Sequence, residues 1–162
     1  MKYILTILLT ALILPACANS PGKEAIDDKA NLQAAVMTFH RDMRWQRWES
    51  AAMMVAPEER QKFLGRYEQL GEDFSIIELD LKSVSQGENA AIIDVQQQSM
   101  KEPSMVVKKE RIIEVWEKRD SAWLLTERME KDEYKEKMKT DQEEAAKKKD
   151  APETETPRED QP

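Results

Sequence analysis

Cysteine and histidine are almost absent. Among 162 residues there is one cysteine, Cys17, and one histidine, His40. A lone cysteine excludes an intrachain disulfide framework, a Cys-based zinc site and an iron–sulfur cluster. A lone histidine excludes any multi-histidine metal centre, so only a carboxylate-rich site would remain, and the sequence implies no metal and no cofactor. Basic charge is also in deficit. There are 32 acidic against 25 basic side chains, a net charge of −7, which argues against a nucleic-acid partner. No apolar run reaches the ~20 residues of a membrane-spanning helix. Nucleophile elbow, phosphate loop and zinc signature are all missing. What is present is a chain 40% hydrophobic with four Trp, enough for one modest core and some solvated excess.

The first residues read as an address. Met1-Lys2 is a positive start, and Tyr3 to Leu14 is almost wholly apolar, the length of a secretory signal's hydrophobic region. Leu14-Pro15-Ala16-Cys17 follows and resembles the lipobox of bacterial lipoproteins, with an aliphatic residue at −3, a small one at −1 and Cys at +1. Pro15 departs from the usual residue at −2. The resemblance implies a diacylglyceryl group on the Cys17 sulfur and acylation of its freed amine, with two or three chains giving a stable anchor. Ala18 lacks the Asp that signals inner-membrane retention in enteric lipoproteins, which points to the periplasmic face of the outer membrane. The partner so implied is the membrane, through the lipid. Ala16-Cys17-Ala18 also satisfies the small-x-small rule for ordinary cleavage after Ala18, the alternative of a soluble secreted protein.

The mature chain falls into helices followed by strands. Asn19-Ser20-Pro21-Gly22 reads as a tether. Leu32, Val36, Phe39 and Met43 recur at i, i+4, i+7 and i+11, the apolar stripe of an amphipathic helix. Trp48, Ala51, Ala52 and Val55 repeat that spacing until Pro57, which lacks an N–H and restricts Ala56. Pro57-Glu58 suits a new helix start, with Phe63, Tyr67 and Leu70 on its buried face and Gly71 as its stop. From Phe74 the period becomes two. Ile77, Leu79 and Leu81 alternate with charges, and Ala91, Ile93 and Val95 with Asp94, Gln96 and Gln98. Val106 to Glu117 and Ala122 to Arg128 complete four strands joined by short turns, an antiparallel meander. The expected fold is α+β, N-terminal helices packed on a curved four-stranded sheet. Residues 1–16 are assigned to the signal peptide, 17–23 to the lipidated Cys and tether, and 24–129 to the domain. Residues 130–162 form a charged low-complexity tail, disordered or an isolated helix without an apolar stripe to dock it.

Helices followed by a meander carrying Val115-Trp116-Glu117 and Ser121-Ala122-Trp123-Leu124-Leu125, with Pro57-Glu58 before Phe63, resemble the nuclear transport factor 2-like (cystatin-like) superfold over roughly residues 24–128. That resemblance implies a cone with a pocket, used by isomerase-type and cyclase-type enzymes and by non-catalytic binding proteins, so it does not choose a function. The candidate site residues are Tyr67, Asp80, Asp94, Trp45 and His40. His40 could act as a general base beside Asp42 or Glu49, but its charged neighbours place it at an exposed or boundary position. Asp80 and Asp94 are strand acids and Tyr67 a hydroxyl of the isomerase type, with no spacing that joins them. Trp45 and Trp48 beside Arg41, Arg44 and Arg47 could make an aromatic and cationic patch, although Trp48 fits the sheet contact better and Trp45 the margin. Trp116 and Trp123 read as core aromatics paired across strands. Gln96 to Gln98 put two Gln on one face and one on the other; the pocket is polar if the two line the cone, and solvent exposure is the simpler account. Catalysis therefore lacks support, and the expectation is a membrane-anchored protein with a binding or scaffolding domain in the periplasm, its partner an envelope protein or a small ligand. Two or more polar groups buried in the cone would favour the ligand.

Overall fold

The computed structural model describes residues 21–149; the signal region, Cys17 and the last residues of the tail lie outside them. Helix α1 (Pro21–Arg44) is followed by α2 (Trp48–Ala52) and α3 (Arg60–Leu70). Strands β1 (Phe74–Gln86), β2 (Ala90–Lys101), β3 (Lys108–Arg119) and β4 (Ala122–Glu130) come next, and α4 (Lys131–Lys149) closes the described chain. The sheet is antiparallel in the order β1-β2-β3-β4, the meander that the alternation and short turns dictate. Pro21 opens α1, so the helix begins within the expected tether. Its fixed φ and missing N–H suit a first turn.

The predicted stripe of α1 is the buried one: Leu32, Val36, Phe39 and Met43 are all nearly inaccessible. They meet Ala91, Ile93 and Val95 of β2 and Trp116 and Leu125 of the neighbouring strands in one core. Phe39 sits at its centre, edge-on to Trp116 at 5.7 Å and tilted against Phe63 at 5.9 Å. Each such side chain stabilises the fold by roughly 1.5–3 kcal/mol through burial. The chain leaves α1 where Gln46 adopts a positive φ of 53°, and α3 stops at Gly71, whose φ of 80° is open to a residue without Cβ. Between them, Ala56 N–H donates to the Leu125 carbonyl and Leu125 N–H to the Met54 carbonyl, both at 2.8 Å. This short stretch covers the free edge of β4.

Three bulges bend the sheet and shift the alternation. In β1, Ile76 pairs with Ser99 and Glu78 with Gln98, leaving Ile77 as the extra residue. The core residue is therefore Ile76, 3% exposed, rather than Ile77, because an inserted residue reverses the face of what precedes it. A second bulge lies at Lys82, and Leu81 beside it is left 44% exposed. In β4, Leu125 pairs with Trp116 but Glu127 with Val115 and Arg128 with Glu114, so Thr126 is extra. Trp116 faces Leu125 and Trp123 faces Lys118; both indoles are core residues, but they are not register partners.

The charged tail does have a hold on the sheet. Helix α4 rests against β3 and β4, with Lys131 reaching Asp94 of β2 at 2.6 Å and Lys137 paired with Glu127 of β4. Salt links replace the missing apolar stripe over its first two turns. Among the described residues no helix is long and apolar enough to cross a membrane.

Candidate functional site

Inward-facing positions of β2 and β3 pair as Ile93 with Glu114, Val95 with Ile112, and Gln97 with Glu110. The strand parity that buries Ile112 and Trp116 thus also buries Glu114, which is wholly inaccessible. An isolated carboxylate there would be costly, and the surrounding elements supply its partners. From α1, His40 Nε2 lies 3.0 and 3.1 Å from the two carboxylate oxygens. From β4, Arg128 Nε donates at 3.2 Å, and Trp116 Nε1 donates at 3.4 Å. An ionised carboxylate only accepts, so the His40 proton that faces it resides on Nε2. Burial pushes the Glu114 carboxyl upward, but the charge and hydrogen bonds of His40, then those of Arg128, outweigh it and hold the group below its ordinary value.

Arg128 extends this network. Its NH1 donates to the Tyr67 hydroxyl at 2.9 Å and its NH2 to Gln97 Oε1 at 2.6 Å. Tyr67, one helical turn from Phe63, is held from the other side by Trp48, whose ring stacks on it at 4.5 Å and 15°. Burial raises the Tyr67 hydroxyl above its usual value, the charges of Arg128 and Arg66 opposing the shift, which keeps it protonated. Arg128, Tyr67 and Gln97 line the floor of a cavity of about 560 Å³ between α3 and the inner face of the sheet. That volume lies within the range of small-ligand sites. Phe74, Leu70, Ile112 and Val106 supply apolar wall. A second cavity of about 390 Å³ runs along β4 between α3 and α4, sharing Tyr67 and Arg128. His40 and Glu114 line neither.

Of the residues singled out from sequence, His40 and Tyr67 are brought together through Glu114 and Arg128. His40 is buried, 6% exposed, which corrects the expected exposed or boundary position. Its charged neighbours Arg41 and Arg44 point to solvent while the imidazole follows Phe39 inward, the burial being offset by Glu114. Asp80 is exposed and paired with Lys82. Asp94 lies on the outer face, where Arg111 donates to it at 2.7 Å and Lys131 at 2.6 Å; the Arg111 bond, against a smaller effect of burial, lowers its carboxyl. Trp45 is 73% exposed and apart from the cavity. Gln97 alone of its run faces inward. Glu114 and Arg128 are not among the residues the sequence marks out, and Gln97 enters only as part of its run. Glu114 had a visible signal, a charge in phase with Ile112 and Trp116. Arg128 had none, because simple alternation from Trp123 and Leu125 points Glu127 inward, and only the Thr126 bulge exchanges the two.

No protein-family model matches the chain, and no curated protein resembles it in sequence. Among solved structures it is similar to a protein of unknown function from Mycobacterium tuberculosis, with 12% identity over 68% of this chain and 75% of that one and a TM-score of 0.53. It is also similar to a protein from Exiguobacterium sibiricum assigned as a Ca/calmodulin-dependent kinase II association domain, with 13% identity, 63% and 90% coverage and a TM-score of 0.52. A member of the nuclear transport factor 2-like family from Streptomyces avermitilis aligns at 14% identity over 64% and 94% of the two chains, with a TM-score of 0.49. At such identities the likeness is one of fold. The architecture is an α+β cone, helices first and a four-stranded antiparallel meander after.

Proposed function

We propose that this is a lipid-anchored protein of the bacterial cell envelope whose cone binds a small ligand without transforming it. The observation that carries the binding reading is the Arg128–Tyr67–Gln97 cluster on the floor of the 560 Å³ cavity. A domain that served only as a scaffold gains nothing from polar groups in its cone, since burying them costs free energy that an apolar filling would not. The non-catalytic reading rests on His40. Its Nε2 is engaged by Glu114 behind the cavity wall, so the one imidazole has no path to a ligand as a general base.

The anchoring reading rests on Leu14-Pro15-Ala16-Cys17, with Ala18 favouring the outer membrane's periplasmic leaflet. Geometry adds an orientation to it. Asp28, near the start of α1, is held by Lys118 at 2.6 Å, beside the β3–β4 turn, whereas the other end of the helix reaches Phe74 through Gln46. The cavity lies at this second end. With the anchor ahead of α1, this reading has the membrane on the side of the closed end of the cone and the cavity facing the aqueous side.

Native mass spectrometry of the full mature protein, extracted in detergent from membranes of the producing cells, tests both halves. The expected spectrum carries a diacylglyceryl-modified N-terminal Cys17 and a bound small molecule that collisional heating removes. An unmodified chain beginning at Asn19 would overturn the anchor in favour of the soluble alternative. A cavity empty under every gentle ionisation condition would return the cone to scaffolding.

A further inference from the structure

The floor of the cavity is polar in one sense only. A guanidinium has five N–H groups and accepts nothing. Arg128 commits three of them, to Glu114, Tyr67 and Gln97. These bonds also set the direction of their partners. The Tyr67 oxygen accepts from Arg128, so its own O–H is left to donate. The Gln97 carbonyl is occupied by Arg128, so its amide N–H groups are left to donate. Arg128 thereby turns two side chains that could serve either way into donors, and burial keeps Tyr67 protonated. Ser99, the next inward residue of β2, lies in the same cavity and can donate as well.

An occupant must therefore supply acceptors, and its charge is bounded. Glu114 offsets Arg128 from behind and is shared with His40, so a network of one guanidinium, one imidazole and one carboxylate can balance at most one further negative charge and not two. The rim does not select. Arg66, Lys101 and Lys108 are matched there by Glu110, Glu130 and Glu133, Lys108 is paired with Glu110 at 2.5 Å, and the Glu130 carboxyl is raised because its protonated form donates to Glu110. The walls between rim and floor are largely apolar, with Leu70, Phe74, Val106 and Ile112 among the lining residues.

We propose that the cavity holds a small organic monocarboxylate, its oxygens on Arg128, Tyr67 and Gln97 and its apolar body against Phe74 and Ile112. A carboxylate only accepts, and it pairs with guanidinium and hydroxyl donors through charge-assisted bonds. This rests on the reading of the cone as a ligand site and names the chemistry of that ligand.

Isothermal titration of the mature chain with hexanoate, benzoate, phenyl phosphate, 1-hexanol and hexylamine tests it. Hexanoate or benzoate binds with one-to-one stoichiometry, and the phosphate, alcohol and amine bind at least tenfold more weakly. Tyr67→Phe and Gln97→Leu, each removing one donor, weaken carboxylate binding about three- to tenfold, while circular dichroism shows both variants folded. Equal binding of the alcohol, the amine or the phosphate overturns the carboxylate assignment and leaves the cavity reading standing. Carboxylate binding that ignores both substitutions overturns it too, since the ligand then sits elsewhere. Silence from every probe overturns the assignment and counts against the ligand reading itself.

Discussion

The two ends of the cone are built from the same strands and are chemically opposite. At the closed end Leu32 and Val36 of α1 pack with Ala91, Trp116, Trp123 and Leu125, all buried and nearly all carbon. At the open end the same strands present Gln97, Ser99, Glu114 and Arg128 inward. The first arrangement stabilises the fold through burial. The second contributes little net stability, because desolvating a carboxylate and a guanidinium consumes most of what their attraction returns. Stability and recognition are thus segregated along the strand direction, and the apolar end can hold the polar one in shape.

Removing one ion from the network should have the largest effect. Glu114→Ala leaves Arg128 buried without its counter-charge and His40 without its partner, and should cost about 3–5 kcal/mol at neutral pH in urea unfolding. Because the folded Glu114 carboxyl is held below the ordinary value of 4.5, its contribution is complete above that pH and disappears as pH falls through the lowered folded value. The gap between wild type and Glu114→Ala should therefore narrow in acid. Trp116→Ala at the closed end should cost nearly as much, about 3–5 kcal/mol from the cavity it creates, but with no such narrowing. Equal pH profiles for the two variants would erase the distinction between the ends.

Two smaller tests address the margins of each. Asp94→Asn should weaken the link to Lys131 that holds α4 to the outer face, along with the cross-strand link to Arg111 of β3. About 1 kcal/mol is expected, since both cations are partly solvated, together with faster amide exchange in the first turns of α4. Unchanged exchange there would show that α4 is held by other contacts. Smallest of all, Trp123→Phe should shift stability by less than about 1 kcal/mol, because the buried Trp123 Nε1 has no partner among the described residues and removing an unsatisfied donor offsets the lost ring area. A loss above 2 kcal/mol in a thermal melt would mean that this N–H is satisfied in solution.

The legibility of the molecule from its sequence follows the same divide. Helix α1 and its buried stripe were readable because four apolar residues at helical spacing leave one way to pack. The meander was readable because alternation and turn residues agree. Buried His40 was misread, since the charges around it in sequence lie on a different face of the helix from the imidazole. Ile76 and Arg128 were unreadable for another reason. Each owes its orientation to a bulge, at Ile77 and at Thr126, and one inserted residue reverses the face of a strand without leaving a mark in composition.

The order of elements, the face of α1 that is buried and the charged character of the tail were determined by the sequence alone, because each depends on residues close together along the chain. That a lone histidine, a glutamate on β3 and an arginine on β4 should share one buried network was decided only by the tertiary structure. Those residues are separated by 74 positions between His40 and Glu114 and by 14 between Glu114 and Arg128. No local periodicity spans such distances; strand register, and the single residue by which β4 slips against β3, brings the three side chains together.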